Sequence, residues 1–133
     1  MSRYVIDASA AAEYLLRTPL GLKLADLRVG LFLIAPELID VEVLSVMQRA
    51  VLHHNLEEHR AWFALEDLRD WPIDLISHTA LVREAWSHRH NVSTYDAFYV
   101  AAVRIYDAPL LTADGPLSRS PALGIVVQNI RMG

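Results

Sequence analysis

The sequence predicts an α/β fold in which helices cover a mostly parallel sheet. Short apolar runs alternate with longer stretches of helical length, so each predicted strand is separated from the next by helices. Strands connected in this way pair in parallel, because the helix returns the chain to the starting edge of the sheet. At 133 residues the chain has the size of one domain, and we expect a single domain over residues 1–133.

The predicted elements follow from apolar periodicity and from the residues that end each run. The strands are expected at residues 3–6, 31–36, 72–77, 109–114 and 124–129. The helices are expected at residues 8–17, 19–28, 37–53, 57–70, 79–89 and 93–107. In open parallel sheets, ligands bind beyond the carboxyl ends of the strands, and Asp7 and Asp114 both fall at that edge.

The composition narrows the class of function. A net charge of −4 argues against a broad basic surface for nucleic acid. It leaves room for a nuclease, because bound divalent metals can supply positive charge where a phosphate arrives. The absence of cysteine removes thiolate metal sites and favours the reducing cytoplasm. The longest run without a formal charge, residues 120–130, is too short for a membrane helix, so no membrane association is expected.

Asp7 is an acid at the tip of an apolar strand. It is the only formal charge between Arg3 and Glu13, and an alanine-rich helix follows it. An N-cap of that helix is one explanation, and an active-site carboxylate is the other. Ser9 is an alternative N-cap, which would leave Asp7 available for a different role.

Two further acids interrupt apolar segments. Asp96 lies near the start of a helix that is apolar nearly all round, a pattern typical of a buried helix. An acid there also favours the helix dipole, with Ser93 or Thr94 as the cap. Asp114 closes a strand and precedes a glycine, so a turn explains it as well as a functional site does.

Glu42 is the fourth candidate, on a helix that it shares with Glu37 and Asp40. A solvated acidic face is the alternative, and Asp40 is the competing ligand. Buried, uncompensated carboxylates each cost several kcal/mol, and a close pair adds about 4 kcal/mol of repulsion at an effective dielectric of about 20. A shared cation removes both penalties. Carboxylates without cysteine or paired histidines suit Mg²⁺ or Mn²⁺.

Four segments occur in an order and with intervals that resemble the PIN-domain ribonucleases, especially the VapC toxins of bacterial toxin–antitoxin pairs. They are YVIDAS (4–9), ELIDVEVLSVM (37–47), STYDAFYVAAV (93–103) and LLTAD (110–114). The resemblance spans the chain from Tyr4 to the last predicted strand. It implies a three-layer α/β/α sandwich and a homodimeric endoribonuclease that uses Mg²⁺ or Mn²⁺. It also implies an antitoxin partner that places a C-terminal segment at the active site.

The resemblance also implies roles for individual residues. Those that match the acids at the metal site are Asp7, Glu42, Asp96 and Asp114. Ser9 and Thr112 match hydroxyl residues that support the site. One departure is Leu117, because some relatives carry an acidic or polar residue three positions after the last aspartate. We therefore expect any second metal to arrive only with the RNA phosphate.

Three other functions remain open at this point. A receiver-type signalling module is also a small α/β domain that binds Mg²⁺, but it needs a lysine after a late strand, and the single lysine is Lys23. A PIN-like interaction module without catalysis is disfavoured by acids at all four positions. A PIN ribonuclease that processes RNA without being a toxin is not separated from a toxin by sequence alone.

Three further sets of residues have expected roles or positions. Core packing, or a partner surface, is expected for Leu15, Leu16, Leu20, Leu22, Leu24 and Leu27. Contacts with RNA phosphates or antitoxin acids are considered for Arg17, Arg28 and Arg119. Exposed positions are expected for His53, His54, His59, His88 and His90.

Overall fold

A computed structural model of the chain describes residues 2–27, 31–113 and 127–129. Its strands are β1 (Ser2–Ile6), β2 (Leu31–Pro36), β3 (Asp74–Ile76), β4 (Leu110–Thr112) and β5 (Val127–Asn129). Its helices are α1 (Ala8–Leu15), α2 (Pro19–Leu27), α3 (Leu38–Leu52), α4 (Glu58–Asp70), α5 (His78–Trp86) and α6 (Thr94–Tyr106). Every predicted element is therefore present. Residues 28, 114 and 124–126, which fall at the ends of predicted elements, lie outside the described residues.

The five strands form one sheet in the order β3-β2-β1-β4-β5, and all four described pairings are parallel. The chain moves toward one edge from β1 to β3 and then crosses back to β4. Because such crossovers are right-handed, α1 to α4 cover one face of the sheet and α5 and α6 cover the other. Contacts agree, since α6 packs on β1, β2 and β4 while α1 packs on α3 and α4. The predicted three-layer α/β/α sandwich is confirmed.

The two central strands supply the middle of the core. Val5 and Ile6 of β1 and Leu110 and Leu111 of β4 are almost completely buried. Continuous apolar runs are typical of parallel strands that are covered on both faces. This placement puts the carboxyl ends of β1 and β4 side by side, so the residue after each strand emerges at the same edge.

The start of α3 is held by a residue from the opposite layer. Glu37 precedes the helix but makes no side-chain cap. Instead, Nε2 of His78 on α5 accepts a hydrogen bond from the backbone N–H of Leu38 at 2.8 Å. This bond satisfies one of the free donors at the helix N-terminus. It links α3 to the layer that contains α6.

The exposure of individual side chains tests the expectations for the leucines and for His88. Leu15 and Leu24 lie in the core, whereas Leu22 is exposed. Leu16 and Leu20 are partly buried against the core, and the Leu27 side chain lies outside the described part. The expectation that His88 is exposed was wrong, because its ring is buried and lies 2.8 Å from the Glu84 carboxylate. Within the described ranges, no helix combines the length and apolarity needed to cross a membrane.

Candidate active site

Asp7 lies between β1 and α1, as the N-cap residue of the helix. Its backbone N–H donates to the Leu111 carbonyl of β4 at 3.1 Å, so the residue still belongs to the sheet edge. Its Oδ1 accepts the backbone N–H of Ala10 at 3.0 Å, which is the N-cap interaction of α1. The alternative in which Ser9 caps this helix was therefore wrong. Capping uses only part of the carboxylate, and the same side chain also lines a cleft at the sheet edge.

Two hydroxyl groups hold the Asp7 carboxylate in place. Ser9 Oγ donates to Oδ1 at 2.7 Å, and Thr112 Oγ1, from the end of β4, donates to Oδ2. Ser9 Oγ in turn accepts the backbone N–H of Ala113 at 2.9 Å. Each hydroxyl has one proton, and both protons are directed at Asp7, although the two hydroxyl oxygens lie 3.2 Å apart. These hydrogen bonds fix the orientation of a carboxylate that is only 5% exposed.

Asp96 reaches the same cleft from the first turn of α6. Ser93 caps this helix, accepting the Asp96 backbone N–H at 3.2 Å. A negative charge in a first turn is favoured by the partial positive charge of the helix N-terminus. The side chain is half-buried rather than enclosed, because it lies where α6 meets the open edge of the sheet.

Glu42 approaches from α3, on the other face of the sheet. Its Oε1 is buried and forms no hydrogen bond with any described residue. Burial raises the pKa of the Glu42 carboxyl, and the nearby charge of Asp96 raises it further, while the Tyr99 hydroxyl partly opposes this. Asp40, the competing candidate on this helix, is exposed and lines a different groove beside Trp71. The structure therefore separates the two acids.

Tyr99 is a buried residue of the cleft that the sequence reasoning missed. It is 2% exposed, and its hydroxyl makes no hydrogen bond of standard geometry with a described residue. Burial raises the pKa of the phenol, and the charges of Glu42 and Asp7 raise it further. Tyr99 therefore stays a neutral donor that faces carboxylates. A signal was present in the sequence, because Tyr99 follows Asp96 by three positions and so lies on the same face of the predicted helix.

Together these side chains form a cleft of about 260 Å³ where α1, α3 and α6 meet at the carboxyl edge of the sheet. Its lining includes Asp7, Ser9, Glu42, Ser45, Arg49, Asp96 and Tyr99. Asp114, the fourth predicted acid, lies outside the described residues. Within the described residues, no three acidic or histidine side chains converge closely enough to form a complete metal cage.

Residues 4–122 match the family model of the PIN domain. The chain belongs to the PIN-domain family. Its fold agrees with the crystal structure of PAE2754 from Pyrobaculum aerophilum, with a TM-score of 0.65 at 18% identity. That match covers 95% of this PIN domain and 83% of the other chain.

Several curated relatives of this PIN domain are VapC ribonucleases of Mycobacterium tuberculosis. Ribonuclease VapC1 is 35% identical over 133 residues, covering 98% of this chain and all of the relative. Ribonuclease VapC12 is 31% identical over 116 residues, covering 87% of this chain and 90% of the relative. The family predicted from the four motifs, the VapC-type PIN ribonucleases, is confirmed.

Proposed function

We propose that this PIN domain is a metal-dependent endoribonuclease and the toxin of a toxin–antitoxin pair. It would cleave cellular RNA by metal-assisted phosphodiester hydrolysis. The observation that carries this proposal is one cleft lined by Asp7, Glu42 and Asp96, in a chain related to VapC ribonucleases. The proposed ligands are Asp7, Glu42, Asp96 and Asp114.

The chemistry of this donor set fits a hard divalent cation. The Glu42 Oε1 atom is a buried acceptor without a described hydrogen-bond partner, and the charge of Asp96 acts on the same carboxyl. A bound cation would coordinate the Glu42 Oε1 atom and offset the repulsion between Glu42 and Asp96. Mg²⁺ in particular is commonly held by one or two carboxylates, waters and substrate phosphates. A partly open cleft suits that mode of binding better than a closed protein cage does.

Each residue of the cleft would have a separate role in hydrolysis. When bound, Mg²⁺ or Mn²⁺ supplies stabilisation of negative charge on the scissile phosphate and lowers the pKa of a water molecule. Ser9 and Thr112 hold Asp7 in one orientation, so that this carboxylate is ready to act as a ligand. Glu42 ligates the ion directly or through water, or orients the attacking water, and Asp96 completes the acidic floor of the cleft.

The test of the proposed function is cleavage of total cellular RNA by the purified protein in Mg²⁺ or Mn²⁺, with the new 5′ ends sequenced. New ends at a few sites that disappear with EDTA and with Asp96→Asn support a metal-dependent ribonuclease. Asp40→Asn is the matched control, because it neutralises an exposed acid on α3 outside the cleft. Equal cleavage by Asp96→Asn and wild type would contradict the proposal. An equal loss of cleavage in Asp96→Asn and Asp40→Asn would contradict it too.

A direct measurement of metal binding complements the cleavage assay. Mg²⁺ is expected to raise the Tm of wild type, because it binds the folded state and not the unfolded chain. The shift should be lost in Asp96→Asn and retained in Asp40→Asn. An unchanged Tm of the wild-type protein in saturating Mg²⁺ would argue against a metal site formed in the absence of RNA.

The toxin role adds a protein partner, and we propose the cytoplasm as its compartment because the RNA substrate is there. Large apolar side chains are exposed on α3 and α4, among them Val41, Leu44, Trp62 and Phe63. Such a surface supports binding of an antitoxin. The protein should arrest growth when expressed alone, and co-expression of the product of an adjacent reading frame should restore growth. Growth arrest without any rescuing neighbour would favour a PIN ribonuclease of RNA processing.

We also propose a homodimer. Val82 and Trp86 on α5 are exposed beside an apolar groove of about 210 Å³ that Phe98 of α6 also lines. Association through this face would bury them. Sedimentation equilibrium should give twice the monomer mass for the wild type and a lower mass for Trp86→Glu. A monomer at all concentrations would contradict the proposal.

A further inference from the structure

Arg49 is the one cationic side chain among the described residues that line the acidic cleft. It lies on α3, two helical turns after Glu42, and Ser45 and Val46 line the cleft between them. Residues with this spacing share one face of a helix. Arg49 therefore belongs to the face of α3 that lines the cleft.

Arg49 is exposed, and its guanidinium group has no hydrogen-bond or ion-pair partner in the part of the chain that the structure describes. Several other described arginines are engaged: Arg17 lies 3.6 Å from Asp67, and Arg60 donates to the Leu16 carbonyl. Arg104 lies 3.8 Å from Glu84. Arg49, by contrast, forms neither an ion pair nor a hydrogen bond with a described residue, although three carboxylates lie in the same cleft. Its donors remain available to a ligand.

An RNA strand that enters this cleft meets the negative charges of Asp7, Glu42 and Asp96. The protein as a whole also carries a net charge of −4. A metal ion held by these acids would offset the charge of the scissile phosphate only, so the neighbouring phosphates need another cation. Arginine binds phosphate through two parallel N–H groups, which fixes position as well as charge.

We propose that Arg49 binds an RNA phosphate next to the scissile one and sets the position of the strand over the acidic floor. This inference rests on the proposed ribonuclease function and assigns one of its substrate contacts. The arginines considered from the sequence were Arg17, Arg28 and Arg119, and of these Arg17 is already paired with Asp67. A structural alternative is that Arg49 only stabilises the C-terminal end of α3, where it lies in the last turn.

Arg83 offers a matched control for that alternative. It is also an exposed arginine in the last turn of a helix, α5, and it lies outside the acidic cleft. Arg49→Gln and Arg83→Gln remove the same charge from equivalent helix positions. Arg49→Lys keeps the charge and loses the paired N–H geometry.

The test measures the affinity of an end-labelled single-stranded RNA by fluorescence anisotropy over a series of salt concentrations, with Ca²⁺ in place of Mg²⁺. Arg49→Gln should weaken binding about tenfold, the loss expected for one charge-assisted hydrogen-bonded contact. The slope of log affinity against log salt should fall by about 0.7, as for one lost phosphate contact on a single strand. Arg49→Lys should recover part of the affinity, and Arg83→Gln should bind as wild type does.

A second readout separates substrate binding from metal binding. Calorimetric titration with Mn²⁺ in the absence of RNA should give the same affinity for Arg49→Gln and wild type. An unchanged salt slope in Arg49→Gln, or an equal loss in Arg83→Gln, would overturn the inference, as would wild type that does not bind RNA. If wild type binds RNA through Arg49 and cleaves none, the proposed ribonuclease function fails while the assignment of Arg49 stands.

Discussion

Replacement of Thr112 by valine tests whether the hydroxyl groups hold the acidic cleft together. Thr112 is completely buried, and its Oγ1 donates to Oδ2 of Asp7. Valine has nearly the same shape but cannot donate a hydrogen bond. We therefore expect Thr112→Val to destabilise the metal-free protein and to weaken metal binding, while the sheet itself remains intact.

The size of the effect follows from the charge of the acceptor. A hydrogen bond to a charged group contributes about 1.5–3 kcal/mol to the free energy of unfolding. For a domain of this size, 1 kcal/mol corresponds to about 4 °C in Tm, so Thr112→Val should lower the Tm by about 6–12 °C. Because a residue that orients a metal ligand typically changes metal affinity by 10- to 100-fold, Mg²⁺ affinity should fall by about tenfold.

Thr112→Ser is the matched control, because serine keeps the hydroxyl and loses one buried methyl group. Loss of a methyl group costs about 0.8 kcal/mol, so serine should lower the Tm by only about 3 °C. Thermal and urea denaturation of both variants without metal, followed by Mg²⁺ titration, provide the measurements. If valine proves as stable as serine or more so, packing rather than the hydrogen bond determines the effect, and the reasoning is refuted.

Three further predictions concern the scaffold around the site. Hydrogen bonding from Ser87 lowers the pKa of Glu84 below the ordinary glutamate pKa of 4.5. The Glu84 carboxylate therefore stabilises the fold fully above pH 4.5, and this stabilisation disappears as the pH falls through the lowered pKa of the folded state. Urea denaturation should therefore show Glu84→Gln to be less stable than wild type at neutral pH and equal to it in strong acid. Gly21→Ala should destabilise the protein by about 1–3 kcal/mol, because a Cβ atom there would lie 2.0 Å from the Glu13 carbonyl oxygen. His78→Phe keeps a ring at the start of α3 but removes the acceptor for its first N–H, and should lower the Tm by about 4 °C.

Each of these has an outcome that contradicts it. A stability difference between Glu84→Gln and wild type that persists in strong acid would show that the side-chain shape, not its charge, matters. A stabilised Gly21→Ala would mean that α1 and α2 can separate freely, because alanine is otherwise preferred to glycine in a helix by about 1 kcal/mol. An unchanged Tm in His78→Phe would mean that water replaces the cap without loss.

The local elements were predictable because their signals are local. Apolar runs bounded by turn residues and helical periodicity placed all eleven described strands and helices. The observed ends of some elements differ from the predicted ends. Strand β3, for example, covers only Asp74–Ile76, although residues 72–77 were predicted. The buried strand followed at once by an acid and a helix also placed Asp7 at the sheet edge.

The environment of each acid was much less predictable. Periodicity shows that Asp40 and Glu42 point in different directions, but it does not say which one faces the sheet edge. The burial of Glu42 against Tyr99 depends on how α3 and α6, on opposite faces of the sheet, approach each other at its edge. The free guanidinium group of Arg49 was missed for the same reason, since the sequence does not show which arginines find partners.

The sequence by itself determined the α/β class, the order of the strands and helices along the chain, and the parallel pairing of the strands. It also determined the PIN family and the four candidate acids. These properties depend on near neighbours along the chain or on motifs that the family shares. Only the tertiary structure decided that Asp7 is both a helix cap and a cleft carboxylate, held by Ser9 and by Thr112 from a distant strand. It also decided that His78 accepts the first N–H of α3 and that Arg49 lines the acidic cleft. Contacts between residues far apart in sequence depend on how the layers pack, and packing reflects the whole chain rather than any one segment of it.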